Sequence, residues 1–350
     1  MAELFTGLDS FNWSQEDVQK YFLEPLFVSN NSLEHFDVMT DISGVSIKLD
    51  RYSALKGITK NQTLTGFSAD DTQSTNSNIV LTLSRLEVEH KQSAFSMFNH
   101  IKSQLLKQGI NRNDISGTKI MEIVSALILG GIQRDFSSIL WWGDTENGGG
   151  ADASPATANA PYTLTNGIWK QMSEQVVAGT AGGGQVTVQP STGSNQNALG
   201  SLEAMVAARS VDLAAQPNVI WCSHAFAEDY KAQLRNAGTH TQAYADLQGG
   251  FQSLSFDGIP MKVMPEWDVD IAANGGNMAE MDGGLAPNAA AEKKCAILTM
   301  PGNFTVATDF NANPVDMWYN RDEKENRFRM NYSFGCAIKE PTMWVSNTVD

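Results

Sequence analysis

Few residues of this chain have the types and the spacing that chemistry needs. The five histidines do not stand at ligand spacing from one another, and the chain lacks phosphate-loop, nucleophile-elbow and zinc-protease motifs. Asp268 and Asp270 resemble the first ligands of a calcium loop, but Ala272 stands at the next ligand position and no Glu falls twelfth. The sequence therefore predicts no catalytic, cofactor-binding or metal-ligating residue, and a protein that is not an enzyme.

The chain has three cysteines that are far apart in sequence and form no C-x-x-C pair: Cys222, Cys295 and Cys336. Each stands in an apolar, strand-like segment, where free cysteine behaves as a small hydrophobic residue. We therefore expect buried thiols in a reducing compartment rather than a disulfide or a metal site. Trp267, Trp318 and Trp344 stand in or beside predicted strands, and core packing is favoured over a role as interface anchors.

Charge and hydropathy argue against several classes of function, namely nucleic-acid binding, secretion and membrane insertion. The 350 residues carry a net charge of -15 and contain no run of Lys or Arg, whereas binding to phosphates needs clustered Lys and Arg. Residues 1–9 lack the basic start and apolar core of a signal peptide, and the longest apolar run, residues 123–132, falls short of the roughly 20 residues of a membrane span. The sequence predicts a soluble chain made in the cytoplasm, without a nucleic-acid-binding surface or a membrane partner.

The element that dominates the organisation of the chain is a predicted ribbon of two strands, residues 45–91. Val45, Ile47 and Leu49 alternate with polar residues, which is the period of a half-buried strand. The second strand runs through residues 79–90, and a slip in its apolar parity predicts a β-bulge near Arg85.

The tip of the predicted ribbon, residues 66–78, is polar. It contains Asp70 and Asp71, and Phe67 is its only large apolar side chain. A ribbon of two strands is at best marginal alone in water. We therefore expect the ribbon to lie on another copy of the chain, with Phe67, Asp70 and Asp71 as candidate subunit-interface residues.

The remaining pattern predicts a mixture of helices and strands. Residues 118–140 are apolar on more than one face, which predicts a long buried helix, and Gly130 and Gly131 predict a bend or a break in it. Residues 268–292 are acidic and rich in Gly and Asn, which predicts a loop. Further helices are predicted from Ser14 and at residues 95–109, 165–177, 201–216 and 223–237, and strands at residues 217–222, 251–256, 261–264, 295–299, 304–307, 315–320, 327–337 and 342–345.

A charged cluster near the end of the chain predicts a turn between two strands. Its simplest interpretation is a solvated hairpin end. Alternating charges on an exposed turn also suit contacts between subunits, whose register depends on complementary potentials. The cluster therefore supplies five more interface candidates: Arg321, Asp322, Glu323, Lys324 and Arg327.

Taken in this order, the features resemble the major capsid proteins of tailed bacteriophages with the Hong Kong 97 type of fold, which encapsulins share. The predicted ribbon resembles the extended loop of that family, and residues 118–140 resemble its spine helix. The later segments that resemble its axial domain and closing strands are residues 254–265, which contain Gly-Ile-Pro between two strands, 294–306 and 327–338.

The resemblance implies an α+β fold in five parts. These are an N-terminal arm with a short helix (1–40), an extended β-hairpin loop (41–92), a peripheral domain with the spine helix (93–200), an axial domain (201–302) and closing strands that return to the peripheral domain (303–350). Some relatives join subunits covalently through a Lys on the loop. Residues 66–78 contain no Lys, so no such cross-link is expected here.

The resemblance also implies a function. It implies a structural virion protein that assembles in the host bacterial cytoplasm into pentamers and hexamers of an icosahedral head around double-stranded DNA, without sequence-specific binding. Its partners would be many copies of itself, and a scaffolding protein, a portal and decoration proteins are left open.

Three other functions stay open. An encapsulin-like compartment would use the same fold around an enzyme cargo. An extracellular carbohydrate-active protein would suit the Gly, Ser and Asn loops and the scattered Trp, although neither a secretion signal nor an evident acidic pair supports it. A phage tail-tube or decoration protein would share the strand-rich ending without requiring the long helix.

Overall fold

The computed structural model describes residues 33, 35–40, 42, 45–52, 76–93, 119–145, 161–177, 198–236, 254–278, 294–308, 315–320, 323 and 325–347. In these residues helices and strands mix, as the sequence predicts, and the strands form two five-stranded sheets and one two-stranded hairpin. The predicted helices that begin at Ser14 and at residue 95 lie outside the described residues. No helix in the described part of the chain is long and apolar enough to cross a membrane.

The first sheet is built around one long strand, β11 (Glu325–Ile338). One edge of β11 pairs antiparallel with β4 (Ser84–Ser93). The other edge pairs antiparallel with β10 (Val315–Asn320) and then with β9 (Phe304–Thr308), and β1 (Asp37–Met39) lies parallel to β9. The strands predicted at 304–307, 315–320 and 327–337 are thus confirmed.

The second sheet contains strands from distant parts of the chain. The strands are β5 (Val219–Ser223), β6 (Leu254–Phe256), β7 (Ile259–Met264), β8 (Ala296–Thr299) and β12 (Trp344–Ser346). Their order in the sheet is β12-β8-β5-β7-β6. Asp257 and Gly258 both have positive φ, at 50° and 74°, and join β6 to β7 in the two-residue turn that antiparallel strands favour. Because β12 pairs with β8, the last strand of the predicted closing segment lies in this sheet and not beside β11.

The long helix α1 (Lys119–Trp142) confirms the prediction for residues 118–140. It continues through Gly130 and Gly131, so the predicted break was wrong. The next two helices are α2 (Ile168–Val177) and α3 (Ala198–Ala207).

The predicted helix at residues 201–216 is two helices. The side chain of Ser210 accepts a hydrogen bond from the backbone N–H of Leu213 at 3.1 Å and begins a separate short helix, α4 (Val211–Ala214). The following helix α5 (His224–Asn236) agrees with its prediction.

The predicted loop at residues 268–292 was wrong over its first part. Residues Pro265–Met278 form a helix, α6, whose first turn carries Glu266 and Asp268. Trp267 and Ile271 are completely buried on one side of this helix. The burial of these two side chains offsets the poor helix propensity of the Gly and Asn residues that follow.

The predicted ribbon differs from the observed pairing. Its paired part is a hairpin of β2 (Ser46–Tyr52) and β3 (Asn76–Thr82). The predicted bulge near Arg85 is instead a break at Leu83, after which the chain continues as β4 and exchanges its partner β2 for β11. The change in apolar alternation between β3 and β4 therefore reflects a change of pairing partner.

One continuous apolar core joins the two sheets through α1, α2 and α6. At its centre the Trp141 ring lies edge-on to Trp221 and Trp267, with centroids 4.8 and 4.7 Å apart, and Trp142 stacks on Trp169 at 5.3 Å. Trp267 and Trp344 are buried, which confirms core packing for both, while the side chain of Trp318 lies outside the described residues. A second core cluster lies on the opposite face of the second sheet, beneath α3 and α5.

Candidate assembly surface

The outer face of the first sheet is where the sequence-predicted surface features meet. Alternate residues of β11, from Met330 through Phe334 to Ile338, belong to the core that contains α1. In the contact with α1, the rings of Phe136 and Phe334 are 4.8 Å apart. Because successive side chains of a strand point to opposite faces, the residues between them lie on the outer face.

One half of this outer face is charged. Arg329 on β11 forms ion pairs with Glu87 and, at 3.3 Å, with Glu89, both on β4. Arg85 lies on the same face of β4, opposite Ser333. All three paired side chains are between 40% and 65% exposed, so the pairs contribute little to stability and remain available for contacts with other molecules.

Only part of the predicted charged cluster lies within the described residues. Arg327 forms an ion pair with Glu323, beside the turn that joins β10 to β11. The hairpin predicted around this cluster is confirmed by the pairing of Asn320 with Glu325. Six of the eight interface candidates lie outside the described residues: Arg321, Asp322 and Lys324 in the cluster, and Phe67, Asp70 and Asp71 at the tip of the predicted ribbon. The interface roles of all eight stay predictions.

The other half of the outer face holds the root of the β2–β3 hairpin. Leu81 and Leu83 are buried against Ala307 and Ala337, and Ile47 and Ile79 pack around them. This small cluster is separate from the two main cores. We call the outer-face residues of β9 and β11 that contact this root the hairpin seat: Ala307, Gly335 and Ala337.

The two faces of the β2–β3 hairpin differ. Ile47, Ile79 and Leu81 face the seat, as the predicted alternation requires, whereas Val80 is 55% exposed on the opposite face. Val45 precedes β2 and is 64% exposed, so its predicted place on the buried face was wrong. The free face of the hairpin therefore presents Val80, opposite Lys48 on β2, and the described part of the chain leaves Val80 more than half exposed.

A groove of about 540 Å³ runs between the hairpin root and α2. Asn166 organises one wall, because its Oδ1 accepts hydrogen bonds from Thr145 and its Nδ2 donates one to Glu174 at 3.1 Å. Gln171 donates to the carbonyl oxygen of Cys336 at 2.8 Å and fixes α2 to β11. Apart from Val80 and Cys336, the residues that line the groove are polar, which suits an extended polypeptide segment better than an apolar ligand.

A buried polar network joins α1 to α6. Asp270 accepts hydrogen bonds from the hydroxyl groups of Ser138 at 2.9 Å and of Tyr162 at 3.0 Å. Burial raises the pKa of Asp270 to about 6, against the opposing effect of these two hydrogen bonds. Burial and the nearby Asp270 carboxyl also raise the pKa of the Tyr162 phenol well above its usual value. The protonation of one carboxyl is thus coupled to the packing of α6 against α1.

A second polar contact lies where α1 ends and α2 begins. Gly167 donates a backbone hydrogen bond to Gly143 at 2.8 Å, and a Cβ at Gly143 would lie 2.1 Å from the carbonyl oxygen of Thr165. The adjacent Lys170 and Asp144 form a buried ion pair at 3.5 Å. Buried pairs of this kind specify a geometry more than they add stability.

The three cysteines are buried, as the sequence predicts, and none is part of a disulfide. Burial raises the pKa of Cys222 and of Cys336 to about 12, and raises that of Cys295 well above its usual value. A thiol that stays protonated is a poor nucleophile and a poor metal ligand. The described residues contain no group of three or more His, Cys, Asp or Glu side chains that could hold a metal ion.

Sequence reasoning missed two features of this surface. The first is the charged face of β4, whose Arg85, Glu87 and Glu89 alternate with Leu86 and Val88 and so carried a readable signal. The second is the hairpin seat, which depends on which strands become neighbours.

The described architecture is similar to chains of solved structures. A chain of the satellite phage P4 procapsid including size determination (Sid) protein matches with a TM-score of 0.54 at 10% identity, over 94% of this chain and 98% of that chain. A chain of Mycobacterium phage Bobi matches at 0.51 and 13% identity, over 97% and 99%. A chain from the capsid of the native GTA particle matches at 0.50 and 12% identity, over 100% and 95%. No protein-family model and no curated protein matches the chain.

At these identities the likeness establishes the fold, and it does so over nearly the full length of each chain. This chain is a mixed helix-and-sheet protein with the fold of chains from a phage procapsid and from a GTA capsid. It has, more particularly, the Hong Kong 97 type of capsid fold that its sequence resembles.

Proposed function

We propose that this chain is a structural shell protein that assembles with many copies of itself into the capsid of a tailed bacteriophage. The observation that carries the proposal is the fold match to a procapsid chain, which spans 94% of this chain and 98% of its counterpart. A shell subunit needs large complementary surfaces and no catalytic centre, so we infer that the protein is not an enzyme.

Each part of the proposed shell subunit corresponds to described elements of the fold. In the proposed shell, α1 is the spine helix, the first sheet is the body of the peripheral domain, and the second sheet with α3 and α5 is the axial domain. The axial domains would meet around the centres of pentamers and hexamers. The free face of the β2–β3 hairpin, with Val80 exposed, would lie across a neighbouring subunit.

The chemistry of the surface suits a container for DNA. A net charge of -15 does not attract phosphates, so packaged double-stranded DNA would meet a wall that neither holds it nor reads its sequence. A scaffolding protein, a portal and decoration proteins are the further partners of such a shell, which would be assembled in the bacterial cytoplasm and end as the virion capsid.

The proposal is tested by producing the chain in bacteria, alone and together with a scaffolding partner, and examining it by sedimentation velocity and electron microscopy. The expected result is closed particles or rings of five and six subunits. Shells that enclose a protein cargo rather than DNA would identify an encapsulin-like compartment instead. A monomer under every condition would overturn the proposal.

A further inference from the structure

The point where the β2–β3 hairpin leaves the body of the protein is unusually close-packed. The backbone of Thr82 crosses the outer face of β11 directly over Gly335. A Cβ added at Gly335 would lie 2.5 Å from the carbonyl oxygen of Thr82 and 3.1 Å from Cδ2 of Leu81. The nearer contact is with a backbone atom, which no change of rotamer can move, so any side chain here displaces the hairpin.

Pairing explains why the crossing occurs at this residue. The ladder between β4 and β11 ends with Ser84 opposite Phe334, one residue before Gly335. At Leu83 the chain leaves the edge of β11 and rises over its face, and the Leu83 N–H donates a hydrogen bond to the Val45 carbonyl at 2.8 Å, which closes the hairpin root. Gly335 itself pairs with Ala307 on the neighbouring strand.

The residues of the hairpin seat are all small. Ala307 is completely buried and Ala337 nearly so, although both lie on the outer face of the sheet. Leu81 and Leu83 fill the space that these small side chains leave. Such a close fit defines one position of the hairpin root and excludes neighbouring ones, because a packed interface does not deform continuously.

We propose that Gly335 is a positioning residue for assembly: with the small residues of the seat, it sets the direction in which the β2–β3 hairpin leaves the subunit, and that direction is needed for the hairpin to reach the neighbouring copy. This inference rests on the proposed function. It assigns the hairpin root a preset geometry within each subunit before any partner arrives.

The variant Gly335→Ala tests the inference, and Gly131→Ala is its matched control, because a Cβ at Gly131 meets nothing within 4 Å. Direction is measured by pulsed electron resonance between spin labels at Val80→Cys and Asn331→Cys. Both positions are exposed, while the three native cysteines are buried and remain unlabelled. Assembly is measured separately as particle yield, and thermal unfolding monitors the body.

The expected result is that Gly335→Ala shifts or broadens the label distance and lowers particle yield at least tenfold, with near-native unfolding of the body and no change from Gly131→Ala. An unchanged distance, or an altered distance with normal assembly, would overturn the inference. If Gly335→Ala does not fold, the variant Leu83→Ala replaces it, because it loosens the same root without a clash. An unchanged label distance, or an altered distance with normal assembly, would again overturn the inference. A native protein that never assembles would defeat the proposed function, whereas the label distance still reports whether the seat sets the direction.

Discussion

The Ser138 hydroxyl on the long helix α1 donates a hydrogen bond of 2.9 Å to the carboxylate of Asp270 on α6, across 132 positions of the sequence. Tyr162 donates a second hydrogen bond to the same oxygen. This contact joins the proposed spine helix to the proposed axial domain through one ionisable group.

The Asp270 contact predicts a pH dependence of stability. The pKa of the Asp270 carboxyl is raised from 3.8 to about 6 in the folded protein, so the folded state binds the carboxyl proton more tightly than the unfolded chain does. The stabilisation is fully present below pH 4 and is lost as the pH rises through 6. Ionisation costs at most about 3 kcal/mol, since one pKa unit corresponds to about 1.4 kcal/mol.

The variant Asp270→Asn should remove this dependence. Urea unfolding at each pH measures the free energy of unfolding of both proteins. As the pH rises from 4.5 to 7.5, the difference between them should shift in favour of Asp270→Asn by about 1–3 kcal/mol. Glu203→Gln changes an exposed acid and serves as the control, with no such trend expected. Parallel pH profiles for Asp270→Asn and the native protein would contradict the prediction.

The Gly143–Gly167 contact predicts that one added methyl group lowers the stability of the protein strongly. A Cβ at Gly167 would lie 2.7–2.9 Å from three backbone atoms of α1 and its end. Gly167→Ala should therefore lower the free energy of unfolding by about 3 kcal/mol or more, because none of these atoms can rotate away. Gly131→Ala, in an open position of α1, should be neutral or stabilising by up to about 1 kcal/mol. Equal denaturation midpoints for the two variants would show that the close approach is not real.

The aromatic cluster predicts which residue holds α6 in place. Trp267 is edge-on to Trp141, Trp142 and Trp169, with ring centroids 4.7–5.9 Å away. Trp267→Ala should cost about 3–5 kcal/mol and remove much of the near-ultraviolet circular dichroism. Val269→Ala, at a position 47% exposed on the same helix, should change neither. A native-like spectrum for Trp267→Ala would mean that the rings do not form one packed cluster.

The charged turn predicts a separation between stability and assembly. The ion pair of Arg327 with Glu323 is substantially exposed, so Arg327→Glu should change the free energy of unfolding by less than about 1 kcal/mol. If the turn contacts a neighbouring subunit, the same change should lower particle yield and make it more sensitive to salt. The double variant Arg327→Glu with Glu323→Arg restores the pair within the chain and separates loss of that pair from loss of the contact between subunits. Full assembly by Arg327→Glu would remove this turn from the interface.

Much of the fold is predictable from the sequence where local pattern and final environment agree. The strand at Val315–Asn320 was located to the residue, and α5 and α1 to within two residues at each end, because their apolar periods are clear. The prediction failed at α6, where the burial of Trp267 and Ile271 outweighs the unfavourable propensities of Gly and Asn.

Features that depend on strand neighbours could not be predicted. The partner of β4 is a strand more than two hundred residues away, so the break at Leu83 appeared in the sequence only as a slip in parity. Gly335 stands within an ordinary strand pattern, and its role follows only from the crossing of Thr82 above it. The charged pairs of Arg329 with Glu87 and Glu89 depend on the same long-range register.

We propose that the β2–β3 hairpin, seated at its root on its own subunit, gains its remaining contacts from an identical neighbour. The most direct test is cryo-electron microscopy of the assembled recombinant protein, read at the face of the hairpin that exposes Val80. The predicted result is a closed shell in which this face is covered by an adjacent copy. A map in which the hairpin contacts only its own chain, with Val80 facing solvent in every subunit, would contradict the claim.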